Sequence, residues 1–141
     1  MSTFEYRKLL RASAMIKVVY RTIKEPVLQE TVFSKNISCI SMAVITTKEL
    51  EKDRELLIEI YINEHKEPVA VKGKVVWQSK CSHVPKSQRQ FYLTAIIFTD
   101  MSTDDAIRTS DFVREILRRH SEAENKRIID MIEDARERQS K

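Results

Sequence analysis

LLIEIYIN, residues 56–63, alternates without interruption: Leu56, Ile58, Ile60 and Ile62 fall on one side, Glu59 and Asn63 on the other. A period of two over eight residues is the mark of a strand with one face in a core and one in water. The same period recurs along the chain. SAMIKVVYRTI (13–23) alternates through Ile16, Val18 and Tyr20, PVLQETVF (26–33) follows a turn at Pro26, and ISMAVITT (40–47) comes next. PVAVKGKVVWQ (68–78) sets Val69, Val71, Val75 and Trp77 on one face, which makes Trp77 a core residue, and QFYLTAIIF (90–98) is almost wholly apolar. Six strands at short spacing, joined by polar connections, predict a small antiparallel barrel or sandwich, because their edges need closure or a second sheet.

The composition turns helical at Ser102. Residues 102–141 contain neither Gly nor Pro. Ser102 with Asp105 resembles a capping box, and Asp104 and Asp105 stand where a helix dipole favours negative charge. Ala106, Val113, Ile116 and Leu117 form one apolar stripe, and Ile128, Met131, Ile132 and Ala135 form another. HSEAENKR between them is polar all round. This predicts either one long helix or two with a hinge near 120–125, the first half on the barrel and the second projecting. The projecting half can pair with a copy of itself or a partner helix, or fold back on its own barrel. The chain thus divides into an arm at 1–12, a barrel at 13–101 and a helical extension at 102–141.

The 141 residues are 42% hydrophobic and 33% charged, with a net charge of +4. That suits a core-forming domain, and the positive balance is compatible with a phosphate-bearing ligand without demanding a nucleic acid polymer. Cys39 and Cys81 make no metal or redox motif. His65, His83 and His120 lack metal-ligand spacing. No apolar run reaches bilayer length and the start of the chain has no signal-peptide core, so a cytoplasmic protein without membrane insertion is expected. No catalytic grouping is present, which points to a sensor or adaptor and not to an enzyme.

Two short stretches carry chemistry. In EYRKLLR (5–11), Arg7 and Arg11 offer planar donor forks suited to phosphate oxygens or a guanine edge, and flat faces that stack on a base. In NISCIS (36–41), Asn36 and Ser38 are two apart on a strand entry, where side chains point the same way. Each stretch alone also reads as ordinary surface: two solvated arginines, or a turn closed by local hydrogen bonds.

Taken together, in this order and followed by the strand pattern and a helix, they resemble the PilZ domain family. RKLLR matches its arm motif RxxxR, and NISCIS matches the barrel motif D/N-x-S-x-x-G. KVVYR (17–21), GKVVW (73–77) and AIIF (95–98) fit further barrel landmarks, and the likeness covers residues 5–119. The resemblance implies a six-stranded antiparallel β-barrel that binds cyclic di-GMP, with Arg7 and Arg11 as the clamp and Asn36 and Ser38 as the platform. It implies a bacterial receptor whose ligand orders the arm and alters contacts with a downstream protein. The chain departs from the pattern where Ser41 replaces the motif glycine, after Ile40, and where Ala95 stands at another frequent glycine. The alternative is a PilZ-like protein-interaction module that does not bind the nucleotide. A nucleic-acid barrel would need exposed aromatics among basic residues, whereas Tyr61, Trp77, Phe91, Tyr92 and Phe98 fall mostly within apolar alternation.

Overall fold

The computed structural model describes residues 12–62, 66–81 and 90–139; Arg7 and Arg11 lie outside them. Among the described residues seven strands, β1 (Ala12–Ser13), β2 (Lys17–Thr22), β3 (Gln29–Ile37), β4 (Ser41–Thr46), β5 (Glu55–Tyr61), β6 (Val69–Lys80) and β7 (Tyr92–Met101), precede one helix, α1 (Thr103–Gln139). All pairings are antiparallel. The order β3-β2-β5-β6-β7-β4 closes on itself through β3–β4, and the two residues of β1 add to the side of β3. Closure leaves the six long strands without a free edge. These six are the strands expected from the alternation, and β3 runs four residues beyond Phe33 to take in Asn36 and Ile37.

The core is the inner set of each alternation. Val18, Tyr20, Val32, Ile37, Val44, Leu56, Ile58, Ile60, Val69, Val75 and Ile96 are all buried. Gly73 is the chain's one glycine, and its place is set by close approach. A Cβ there would lie 2.8 Å from Ile96 Cγ2, 2.9 Å from the Ile97 carbonyl and 3.0 Å from Ile58 Cδ1. A register shift at Lys72/Gly73 accompanies this crowding of β6 on β7.

Two polar networks tie the connections to the barrel. Tyr20 Oη donates to Glu30 (2.8 Å), whose carboxylate also takes the Thr47 amide and hydroxyl. Gln78 Nε2 donates to Thr46 Oγ1, Thr94 Oγ1 and the Lys48 carbonyl, while its Oε1 accepts the Leu50 amide. Thr46 and Thr94 are fully buried, so each needs such a partner.

The helix begins as its sequence suggests. Ser102 Oγ caps the Asp105 amide at 3.1 Å. Asp105 then accepts the Ala70 amide and pairs with Arg108, whose other nitrogen donates to the Glu67 carbonyl. These contacts dock the first turn on the start of β6. Thr109 and Val113 are buried and Ile116 and Leu117 pack against the core, while Ala106, expected on that stripe, is exposed. The helix continues unbroken for 37 residues, about 55 Å. No hinge forms near 120–125. Glu115, Arg118, Arg119 and Glu122 form ion pairs at i,i+3 and i,i+4 spacing that lead into that stretch, and the Arg118 fork holds Glu115 below the usual carboxylate range. Every residue from Arg118 to Gln139 is exposed.

Candidate functional site

NISCIS forms a tight corner between β3 and β4. Ser38 is 3% exposed, and its Oγ accepts the amides of Ile40 (3.2 Å) and Ser41 (3.0 Å) and lies 3.1 Å from Ser41 Oγ. The Ser38 amide in turn donates to the Ser41 carbonyl at 2.8 Å. Ser38 therefore takes the turn-closing role: its hydroxyl organises the corner from inside and faces no open surface. Among the described residues only Asp53 has a positive φ, of 68°, so Ser41 sits in ordinary backbone geometry and its replacement of glycine brings no conformational strain.

Asn36 is different. It is half-buried, and its amide makes no hydrogen bond among the described residues. It starts a cross-strand row that runs over the outside of the barrel: Asn36 opposite Ala43, Ala43 opposite Ala95, Ala95 opposite Trp77. The row crosses four adjacent strands, roughly 14 Å. Ala43 and Ala95 form a low floor. Trp77, 48% exposed, stands as one wall, and Asn36 with Ser41 stands at the other. The resulting groove has a volume of about 330 Å³, and among the described residues Lys35 is the one charged residue lining it. Ile40, 42% exposed, also lines it.

Trp77 reverses its expected place. Straight alternation from Val75 puts it inside, but β6 carries a second register shift between Val75 and Trp77. The extra residue turns both Val76 and Trp77 outward. A matching bulge in β3, between Ser34 and Asn36, lets Ile37 return to the core while Asn36 faces the groove. Single-strand periodicity does not reveal either bulge.

The arm meets this site through backbone pairing. β1 sets Ser13 opposite Asn36 and Ala12 opposite Ile37. Between β1 and β2 the chain leaves the ladder at 14–16, and Ser34 holds it there. Its Oγ donates to the Ala14 carbonyl and accepts the Ile16 amide at 3.0 Å, while its own amide donates to the Ile16 carbonyl at 2.9 Å. The residue after Arg11 is thus hydrogen-bonded in register beside the NISCIS corner. Among the described residues there is no cluster able to hold a metal ion, and no helix is long and apolar enough to cross a membrane.

This architecture has close counterparts among solved structures. The PilZ domain with c-di-GMP of YcgR from Escherichia coli superposes with a TM-score of 0.61 at 14% identity, over 82% of this chain and 95% of that one. The apo structure of K. pneumonia MrkH gives 0.64 at 12% identity, over 80% of this chain and 50% of that one. The Bacillus subtilis inhibitor of motility, MotI/DgrA, gives 0.57 at 18%, again over 80% and 50%. The chain has a PilZ-like fold. It spans about half the length of the MotI and MrkH chains and nearly all of the YcgR PilZ domain. No family model and no curated protein matches the sequence. On the PilZ-like barrel the groove of Asn36, Ser41, Ala43, Ala95 and Trp77 is an outer-face site with a flat floor, one aromatic wall and an amide edge. Such a site can hold a planar base by stacking and edge hydrogen bonding.

Proposed function

We propose that this protein is a receptor for cyclic di-GMP, acting without catalysis, with the ligand held between the N-terminal arm and the outer groove of the barrel. The observation that carries the reading is the β1–β3 register. It ties Ala12 and Ser13, directly after RKLLR, to Ile37 and Asn36. Arg11 directly precedes Ala12 in the sequence, and Arg7 stands four residues before Arg11. A ligand with two phosphates and two guanines needs donor forks, stacking cations and an edge that reads guanine. The arginines would supply the first two and Asn36 the third. Trp77 would give a stacking wall and Lys35 additional positive charge. Ser38 and Ser41 would act through the corner's shape, not as free hydroxyls. The likeness of the fold to a PilZ domain solved with c-di-GMP supports the same ligand. Closure of the arm over the groove would change the surface offered to a downstream protein.

A second reading is a PilZ-like interaction module without the nucleotide, favoured by the bulk of Ile40 and Ser41 in the groove lining. Calorimetric titration of cyclic di-GMP into the wild type and into Arg7→Ala, Arg11→Ala and Asn36→Ala separates the two. Saturable binding that is lost in both arginine variants and weakened in Asn36→Ala is expected. Absence of binding to the wild type, by calorimetry and by a second method, would leave the interaction module.

A further inference from the structure

The last two turns and more of α1 carry an apolar stripe that nothing among the described residues covers. Ile128, Ile129, Met131 and Ile132 are each at least half exposed, at 53%, 53%, 65% and 50%. With about 100° per residue, Ile128, Ile132 and Ala135 share one line along the helix, flanked by Met131 on one side and Ile129 on the other. Charges around this stripe are arranged as opposites about its middle. Reflection of the helix through Asp130 exchanges Ile128 with Ile132 and Ile129 with Met131, and it brings Arg127 level with Glu133, one residue from Asp134. Glu124 comes level with Arg136 and Glu122 with Arg138, each two residues from the other arginine.

We infer that α1 pairs antiparallel with α1 of a second copy of this chain, about a twofold axis at Asp130. In that arrangement residues on the same flank of the two stripes meet. Arg127 and Asp134 lie on one flank, so Arg127 of each copy faces Asp134 of the other. Glu124 and Arg138 lie on that flank too and face each other in the same way. Arg136 and Glu122 occupy the opposite flank. By symmetry every pair forms twice. Glu124, Arg127, Asp134 and Arg138 make no ion pair among the described residues, so their charges stand ready for exchange. Parallel pairing has no such match: Glu124 then faces Ile129 of the second copy, and Met131 faces Arg136.

The barrels also leave room for this. Among the described residues, hydrophobic packing of α1 on its own barrel ends at Leu117, and residues 118–139 are exposed. Reflection of Gln139 falls at Ser121, so the described residues of the second helix overlap residues 121–139, about 28 Å, beyond the stretch docked on the barrel. The two barrels would sit at opposite ends of the paired helices. The inference is independent of the ligand.

The test uses the full chain at a series of concentrations, with mass measured by sedimentation equilibrium. The wild type is expected as a dimer. Arg127→Glu and Asp134→Arg place like charges together twice per dimer, and each is expected to raise the dissociation constant roughly tenfold or more. An equal mixture of the two variants restores both pairs as opposites and is expected to recover the wild-type constant, as is the double variant in one chain. All positions are exposed, and unchanged circular dichroism checks that the variants fold. A monomeric wild type, or a mixture no tighter than the single variants, overturns the proposal. A second measurement fixes direction. With Cys39 and Cys81 replaced by serine, oxidation of mixed Ile128→Cys and Ile132→Cys chains should give mainly the 128–132 cross-link. Dominant 128–128 cross-linking of Ile128→Cys alone would show parallel helices and also overturn it.

Discussion

Ser13 lies opposite Asn36 in an antiparallel register of two residues, and this short ladder is the physical link between the arginine arm and the barrel groove. Two paired residues cannot hold a strand by themselves. Ser34 supplies the rest, with one hydroxyl satisfying both the Ala14 carbonyl and the Ile16 amide where the chain leaves the ladder. It is 3% exposed, so nothing else reaches those groups cheaply from solvent.

Ser34→Ala is therefore expected to loosen the arm without touching a ligand. Losing the hydroxyl leaves a donor and an acceptor without their partner, which costs about 1–3 kcal/mol. Hydrogen exchange of the amides at 14 and 16 should quicken, and affinity for cyclic di-GMP should fall with the stability of the arm. Unchanged affinity in a variant with faster exchange would separate arm anchoring from binding.

Ser41→Gly asks what the missing motif glycine does. Ser41 already has a φ that any residue adopts, and its Oγ is turned toward Ser38. Glycine removes that contact and adds chain entropy to the unfolded state, a loss of about 0.5–1 kcal/mol. Melting temperature is expected to fall slightly, while affinity changes by less than about threefold, well under 1 kcal/mol. A tenfold gain in affinity on calorimetry would mean that the Ser41 side chain obstructs the groove.

Trp77 is the only tryptophan, so its fluorescence reports one place. Being half exposed on the outer face, it contributes little to the core. Trp77→Ala should leave the melting temperature within a few degrees of wild type yet weaken nucleotide binding by about 1–3 kcal/mol if a guanine stacks there. Cyclic di-GMP should change the wild-type emission in a saturable way. Saturable calorimetric binding with a silent tryptophan would place the base elsewhere on the barrel.

The strands were legible wherever one face is buried without interruption, as in LLIEIYIN. There the period of two is a direct image of inside and outside. Trp77 was not legible, because a bulge adds a residue to β6 and inverts the alternation beyond Val75, and a bulge is a property of two strands. The NISCIS corner was visible as residue types, but Ser38 could not be divided between turn and ligand until its hydroxyl was seen bonded to the amides of Ile40 and Ser41. The pairing of Ser13 with Asn36 is a contact between segments far apart in sequence, and neither segment carries a pattern for it. In the helix, absence of Gly and Pro favoured continuity, while the polar stretch 120–125 left a hinge open. The helix runs through it without a break, and the Glu115–Arg118–Glu122 pairs span only its beginning.

Gly73→Ala tests the tightest contact in the barrel. The added methyl meets the Ile97 carbonyl at 2.9 Å, which is backbone and cannot rotate aside, and two core isoleucines at 2.8 and 3.0 Å. The strand must move, and overpacking of this kind costs about 1–3 kcal/mol. Chemical denaturation should show a lower midpoint with an unchanged slope. A wild-type midpoint would mean that β6 and β7 separate more easily than their packing implies.

Tyr20 ties stability to alkaline pH. Its ring is fully buried, and burial is the larger cause that pushes its phenol far above the ordinary tyrosine value, with the bond to the Glu30 carboxylate and that group's charge adding to it. A phenolate there would be desolvated and would face a carboxylate, so the folded state keeps the proton. The unfolded chain releases it near pH 10. A group whose folded pKa is raised stabilises fully below its unfolded value, and that contribution is lost as pH climbs from about 10 toward the folded value, by up to about 1.4 kcal/mol per pH unit. Denaturant midpoints should thus decline above pH 10. In Tyr20→Phe the decline due to this residue should vanish, although the variant is less stable at neutral pH because Glu30 loses a donor and keeps only Thr47. Parallel declines in wild type and variant between pH 10 and 11 would show that the Tyr20 proton is not held by the fold.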